Sequence, residues 1–220
     1  MEFNNNFDYS KDIEITPAFA RIHAHICGDG CIYKVRTNRS KKELIQHPRK
    51  NTVRNRFHIR YFNNDISLLK QFIKDVHTVF NRRCCLNLKN NYIDVQGKWL
   101  YDIFKFLGAG KSHEWFISDK ILSSSNEVII EWIKSFFDDE VYVPLKRRCI
   151  EVGSVNKKGL NQIKKLLFSL GIISIIHGPY WYKGFFSYRL YIDSKNVRKY
   201  HELVGFTSLK KKRRLDNLLR

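Results

Sequence analysis

The chain has 220 residues, of which 40 are lysine or arginine and 21 are aspartate or glutamate, giving a formal net charge of +19. This length allows one large domain or two small domains with a shared core, and the charge predicts a polyanionic partner such as nucleic acid. No apolar run reaches the roughly 18 residues of a membrane span, and the polar start lacks a signal-peptide pattern. We therefore expect a soluble intracellular protein, without a membrane partner, in a prokaryotic cytoplasm or an organelle.

The first predicted element is a helix over Thr16–Gly30, TPAFARIHAHICGDG, after a polar lead at 1–15. Thr16 can cap this helix, and Pro17 suits its first turn because the missing N–H would have no partner there.

Small residues mark one side of this helix. Ala20, Ala24 and Gly28 recur every four residues, so they form a row along which another helix backbone can approach closely. Asp29 then lies at the C-terminal end, where the helix dipole disfavours a negative charge unless a cation offsets it. Gly30 allows a sharp turn after it.

A predicted strand at Cys31–Thr37 places Lys34 and Arg36 on one face together with Ile32. The following segment, Asn38–Thr52, is expected to be a long basic loop.

The next strand, Arg54–Tyr61, alternates strictly and places Arg54, Arg56, His58 and Arg60 on one face. Four basic side chains along one pleat would repel one another unless the face meets anions. Arginine can also read guanine edges in the major groove, which a two-stranded ribbon can enter. Because acids are scarce nearby in the sequence, we predict DNA contact rather than a solvated face with carboxylate partners.

Both halves of the chain follow the same order of predicted elements: helix, two strands, helix, two strands, helix. The first half is completed by a helix at Ile66–Phe80, strands at Cys84–Leu88 and Tyr92–Gln96, and a helix at Trp99–Leu107. The second half is predicted as a helix at Asn126–Val141, strands at Val141–Val143 and Arg148–Val155, a helix at Gly159–Leu170, strands at Ile172–Ile176 and Phe185–Ile192, and a helix at Val197–Val204.

Two nonamers carry a family resemblance. Ile22–Gly30, IHAHICGDG, resembles the motif of the LAGLIDADG homing endonucleases, and Ile133–Val141, IKSFFDDEV, resembles a second copy with Glu140 as its acid. The second copy departs from the motif because Asp139 replaces a small residue and Val141 replaces glycine.

The resemblance implies an α+β fold of two pseudo-symmetric αββαββα repeats, joined by packed motif helices, with antiparallel sheets forming a DNA-binding saddle. It implies a first repeat at 16–122, a second at 123–206 and a basic tail at 207–220. The tail, which contains LKKKRR, is expected either to clamp phosphates or to be a solvated tail.

The resemblance also implies a metal site in which Asp29 and Glu140 hold Mg²⁺, or Mn²⁺ or Ca²⁺ in its place, with Gly28 and Asp139 adding backbone carbonyls. A lysine after the fourth strand of each half is expected near the cleavage centre, which assigns Lys98 and Lys195 as catalytic. The two positions correspond because VQGKWLYDIFKFLG parallels IDSKNVRKYHELVG.

The expected function is that of a monomeric, site-specific endonuclease that cuts double-stranded DNA at a long asymmetric site and leaves 3′ overhangs. We expect it to be encoded in an intron or by a free-standing gene. The alternative is a splicing maturase that binds structured intron RNA, or a noncatalytic nucleic-acid binder on the same scaffold. The residues predicted to contact DNA are Lys34, Arg36, Arg39, Lys41, Lys42, Arg54, Arg56, His58, Arg60, Arg83, Arg147 and Arg189.

Overall fold

The structure is a computed structural model that describes residues 13–46, 48, 51–182 and 184–220. The elements of its first half are α1 (Pro17–Cys27), β1 (Gly30–Asn38), α2 (Lys41–Gln46), β2 (Val53–Phe62), α3 (Ile66–Phe80), β3 (Cys85–Asn87), β4 (Tyr92–Gln96) and α4 (Lys98–Phe106). A short helix, α5 (Asp119–Leu122), leads to the second half, whose elements are α6 (Asn126–Glu140), β5 (Val141–Tyr142), β6 (Ile150–Ser154), α7 (Lys157–Ser169), β7 (Ile175–Tyr182), β8 (Phe185–Ile192), α8 (Ser194–Leu203) and α9 (Leu209–Leu219).

Each half contains one four-stranded antiparallel sheet. The strand orders are β1-β2-β4-β3 and β5-β6-β8-β7, so the same topology occurs twice. This confirms the α+β fold with two αββαββα repeats. One hydrophobic core lies under each sheet, and the largest side chains buried in them include Phe72 and Phe104 in the first half and Trp132 and Phe137 in the second.

The start of α1 follows from local sequence. Thr16 Oγ1 accepts a hydrogen bond from the Phe19 N–H at 3.2 Å, and Pro17 occupies the first turn. The small-residue row then faces the second half, because Ala20 and Ala24 are fully buried within the second core. The predicted close packing of α1 on the second motif helix is therefore confirmed.

A buried histidine helps to fix this packing. Trp132 on α6 donates its indole N–H to His23 Nδ1 on α1 at 3.0 Å, and His23 Nε2 lies 3.0 Å from the Leu107 carbonyl. Since Nδ1 accepts, Nε2 carries the proton, and the ring is neutral with both nitrogens satisfied. Burial lowers the pKa of His23 to about 4, and the Leu107 carbonyl only partly opposes this.

Three segments differ from the sequence expectations. The loop after β1 contains the short helix α2, and β7 begins at Ile175 and extends to Tyr182 rather than ending at Ile176. The expected basic tail forms the helix α9, whose Leu215 and Leu218 are buried in the second core. These apolar residues anchor the segment to the second core, whereas one of the two expectations for LKKKRR was a solvated tail.

Candidate active site and nucleic-acid interface

The two motif acids lie at the C-terminal ends of the two packed helices. Glu140 is the last residue of α6, and Asp29 follows the α1 cap residue Gly28. At this crossing a Cβ on Gly28 would lie 3.0 Å from Asp139 Cβ and 2.9 Å from Asp139 Oδ2. The absence of a side chain at Gly28 thus makes room for Asp139, the residue that departs from the motif.

The backbone conformation after the motif acid differs between the two halves. A Cβ on Gly30 would lie 2.5 Å from the Ile26 Cα and 3.0 Å from the Arg60 carbonyl oxygen, so only glycine fits there. Val141, at the matching position, has φ −82° and ψ 137°, an extended conformation that any residue adopts. The second motif therefore needs no glycine after its acid.

The acids interact electrostatically. Burial raises the pKa of Asp29 to about 6, repulsion from Asp139 adds to the shift, and Lys211 and His25 oppose it. Burial raises the pKa of Glu140 to about 7, and the charges of Asp29 and Asp139 raise it further. The charges of Asp29 and Asp139 therefore disfavour ionisation of Glu140, and the charge of Asp139 disfavours ionisation of Asp29, a cost that a bound cation would remove.

Asp139 has a buried network of its own. Tyr61 donates its hydroxyl to Asp139 Oδ1 at 2.7 Å, and His25 Nδ1 lies 2.9 Å from Oδ2. The Asn63 side-chain amide donates to Asp139 Oδ1 at 3.1 Å and to Asp29 Oδ2 at 3.3 Å. Asp139 is thus tied to the first half through its side chain, a contact that the sequence analysis missed because the partners are far away in the chain.

Lys211 on α9 binds the end of α6. Its Nζ donates to the carbonyls of Phe137, Asp138 and Asp139 at 3.1, 2.6 and 3.1 Å. A cation here compensates the unpaired carbonyls and the negative end of the helix dipole. Burial lowers the pKa of Lys211, against the opposing charges of the surrounding acids. The Asp139 carbonyl, expected as a metal ligand, is thus already bound to an ammonium group.

A second contact docks α9. The buried carboxylate of Asp138 accepts hydrogen bonds from the backbone N–H groups of Thr207 and Ser208 at 2.9 to 3.1 Å, just before the first turn of this helix. Ser208 also donates its hydroxyl to Asp65 at 2.9 Å. These bonds hold Lys211 at the acids. The spacing of Lys211, Leu215 and Leu218 places all three on the inner face of α9, a signal present in the sequence.

Lys98 and Lys195, the two lysines predicted to be catalytic, lie in the first turns of α4 and α8. Lys98 begins α4, donates to Asp102 at 2.6 Å and lies over the Phe57 ring at 5.9 Å, on the helix-covered side of the sheet. Lys195 is exposed in the first turn of α8. The catalytic roles assigned to Lys98 and Lys195 from the family resemblance stay predictions.

The first sheet separates the predicted DNA-contacting residues into two faces. In the antiparallel register Lys34 pairs with Phe57 and Arg36 with Asn55, whereas Arg56 pairs with Val35. Directly paired residues share a face. Lys34 and Arg36 therefore project from the helix-covered side, opposite to Arg56, and their contact with DNA stays a prediction.

The basic side chains on the open face of this sheet pair with acidic residues. Asp94 Oδ1 accepts from Arg60 Nε at 2.8 Å, Asp94 Oδ2 lies 2.9 Å from His58 Nδ1, and Arg54 pairs with Glu43. His58 is only 8% exposed, so it supports the face rather than presenting its ring. The expectation that this face lacks carboxylate partners was wrong, because Asp94 is 34 residues from Arg60 in sequence but adjacent to it across the sheet.

The second sheet repeats this arrangement. Glu151, 7% exposed, pairs with Arg147 at 2.8 Å and with Arg189 at 2.9 Å. The remaining predicted contacts lie on or near the surface of the first half: Arg39, whose Nε donates to the Asn51 carbonyl, and Lys41, Lys42, Arg56 and Arg83.

The donor set fits a hard divalent cation. The described residues contain no group of three or more His, Cys, Asp or Glu side chains arranged around one metal position. Two carboxylates with raised pKa values suit Mg²⁺, which is bound through one or two carboxylates and keeps several waters. Glu140 lines a cavity of about 400 Å³ together with Gly28. Asp29 faces a cavity of about 760 Å³ that Asn63 and Lys211 also line.

The chain resembles known proteins in sequence and in structure. A family model described as a LAGLIDADG-like domain matches residues 127–205. The structure resembles that of I-DmoI in complex with DNA and Mn, with a TM-score of 0.65 and 19% identity, covering 87% of this chain and 97% of that one. The chain carries the LAGLIDADG fold twice. I-DmoI in complex with DNA and Ca is similar as well, with a TM-score of 0.60, 18% identity and coverage of 88% and 92%.

A curated relative matches over nearly the whole chain. It is the glutamine–fructose-6-phosphate aminotransferase of Methanocaldococcus jannaschii, 23% identical over 240 residues. The alignment covers 99% of this chain but only 19% of that protein, so the chain spans about a fifth of the relative's length. Among the described helices, none is both long and apolar enough to cross a bilayer.

Proposed function

We propose that this LAGLIDADG protein is a site-specific endonuclease that cuts both strands of DNA with a divalent cation. The observation that carries the proposal is the pair of carboxylates, Asp29 and Glu140, at adjoining ends of two packed helices. A pure binder has no need of two motif acids whose pKa values burial raises, with the charge of Asp29 raising that of Glu140 further. The likeness to I-DmoI, whose structures contain DNA together with Mn or Ca, supports the same reading.

Asp29 and Glu140 hold the cation, and the Gly28 carbonyl adds a ligand. When bound there, Mg²⁺ supplies a Lewis acid that activates water and stabilises the departing 3′ oxygen. Lys211 fixes the end of α6 through three carbonyls and contributes positive charge beside the phosphate. Asn63 keeps the Asp29 carboxylate in place through its hydrogen bond to Oδ2.

The open faces of the two sheets bind the DNA on either side of this centre. Their sequences differ, since the first face carries Arg54, Arg56 and Arg60 and the second carries Arg189, so the target is long and asymmetric. Each half serves one strand, and the products carry 3′ overhangs. Because one chain contains both motifs, a monomer suffices.

Cleavage of a pool of long duplex DNAs with Mg²⁺ tests the proposal. We expect specific double-strand cuts by the wild type and loss of cutting, with binding retained, in Asp29→Asn and Glu140→Gln. Glu127→Gln is the matched control, because Glu127 is exposed at the opposite end of α6, about 20 Å away at 1.5 Å per residue. Tight binding without cutting by the wild type would favour the noncatalytic binder or the maturase.

A further inference from the structure

One arginine of the first sheet is fixed far more firmly than its neighbours. The guanidinium of Arg60 lies 5.1 Å from the Tyr33 ring centroid and 4.6 Å from that of Tyr92, so two aromatic rings hold it. Its Nε donates to Asp94 Oδ1 at 2.8 Å. The side chain is 31% exposed, which leaves part of it open at the sheet face.

The carboxylate that holds Arg60 is itself fixed. Asp94 is 7% exposed and also contacts His58 Nδ1 at 2.9 and 3.0 Å and the Gln96 amide at 3.3 Å. Burial alone would raise the pKa of Asp94, but the hydrogen bonds from Arg60 and His58 outweigh it and lower the pKa. His58 stacks on Tyr33, with ring centroids 4.9 Å apart and planes 3° apart. The Asp94 carboxylate is therefore negatively charged and held in place by several contacts.

This geometry leaves one defined edge of the guanidinium available. Nε is occupied by Asp94, while Nη1 and Nη2 make no hydrogen bond to another described residue. Two parallel N–H donors at the end of a planar fork match O6 and N7 of guanine in the major groove. Arg189 in the second sheet differs, because its Nη1 is already bound to Glu151 at 2.9 Å.

We propose that Arg60 is a specificity-determining residue that reads one guanine of the target through Nη1 and Nη2, with Asp94, Tyr33 and Tyr92 as its positioning residues. The inference rests on the proposed DNA-cleaving function and names a feature of the substrate. Preorganisation is its physical basis, since a fixed fork loses little side-chain entropy when it binds a base.

The position of the guanine follows from the strand. Phe62 donates its N–H to the Asp29 carbonyl at 3.1 Å, and Arg60 is two residues earlier in β2. Two residues correspond to about 7 Å along the strand, close to the rise of about two base pairs. The guanine therefore lies in the first half-site, near the centre rather than at its outer end.

Arg56 provides a matched control. It lies on the same face four residues before Arg60 and makes no hydrogen bond or ion pair with another described residue. Without a carboxylate or a pair of rings to orient it, Arg56 acts mainly as a charge for phosphate, a role that lysine also fills.

The test is selection of bound duplexes from a library randomised across the site, in Ca²⁺ and at fixed salt, followed by sequencing. For the wild type we expect a preference for guanine of about 5- to 150-fold at one central position. Arg60→Lys should remove that preference and leave the other positions unchanged, whereas Arg56→Lys should leave the guanine preference at that position unchanged. Asp94→Asn should weaken the same single preference although Arg60 and its charge remain.

The outcomes separate the two proposals. A wild type that selects no sequence would overturn the proposed function and the inference together. A wild type that selects a site, with the same central guanine retained in both Arg60→Lys and Asp94→Asn, would overturn the inference alone. Circular dichroism and thermal unfolding of each variant distinguish loss of folding from loss of base recognition. Tyr92→Leu keeps the ion pair but removes one ring, and it should weaken the guanine preference at the same position. An unchanged preference in Tyr92→Leu would contradict the inference.

Discussion

Replacing Glu140 by glutamine should stabilise the protein when no divalent metal is present. Burial, with added repulsion from Asp29 and Asp139, raises the pKa of Glu140 to about 7. Between its ordinary pKa and this value the folded state binds more protons than the unfolded state, so stability falls as the pH rises. Glu140→Gln removes the ionisable group and with it this loss.

The size follows from the shift. The pKa of Glu140 moves from 4.5 to about 7, and each unit corresponds to about 1.36 kcal/mol, so about 3 kcal/mol is the upper limit at pH 8. Solvent screening of a partly exposed group reduces this to about 1 to 3 kcal/mol. At pH 5 the effect should fall below about 1 kcal/mol, because the folded-state carboxyl is then protonated.

Urea unfolding in EDTA at pH 5 and pH 8 measures this difference. Adding Mg²⁺ at pH 8 should raise the stability of the wild type and should raise that of Glu140→Gln less, because the cation binds the folded state through both acids. Glu127→Gln serves as the control and should behave as the wild type at both pH values. Equal stabilities of wild type and Glu140→Gln at pH 8 in EDTA would refute the reasoning that burial and the neighbouring acids raise the pKa of Glu140.

Three further results are expected. Lys211→Met should lower the single-turnover cleavage rate by about 10²-fold or more, whereas Lys212→Met, at an exposed neighbour on the same helix, should cut at the wild-type rate; equal losses in the two variants would contradict a specific role of Lys211. Gly28→Ala should destabilise the fold by about 1 to 3 kcal/mol in urea unfolding because its Cβ meets Asp139 at 3.0 Å, and Asp139→Gly in the same chain, which removes both Cβ and the carboxylate, should relieve the clash; if the double variant were no better than the sum of the single variants, the contact would not be the cause. DNA affinity should fall with salt by about 0.9 log units per log unit for each phosphate neutralised, and a flat dependence would contradict electrostatic binding.

Local signals were sufficient for the elements that organise the fold. Thr16 and Pro17 give the start of α1, the row containing Ala20 and Ala24 gives its contact with α6, and apolar periodicity gives α3 with its observed ends. The repeat of the second half followed from the same signals, because each element carries its own pattern of burial.

The pairing between elements was not predictable in the same way. Alternation divides β1 into two faces, but only its register with β2 shows that Lys34 lies opposite Phe57 and not beside Arg56. The contacts of Asp94 and of Lys211 join residues more than 30 positions apart, and no short-range pattern encodes them.

The most direct test of the account is a map of where the metal binds. Fe²⁺ with ascorbate and peroxide, used in place of Mg²⁺, generates hydroxyl radicals that cut the polypeptide beside the bound ion, and mass spectrometry locates the cuts. We predict cuts at residues 28–30 and 139–141 in the same molecule, suppressed by excess Mg²⁺ and absent in Asp29→Asn with Glu140→Gln. Cuts located elsewhere, or unchanged in that double variant, would contradict a single metal centre between the two motif helices.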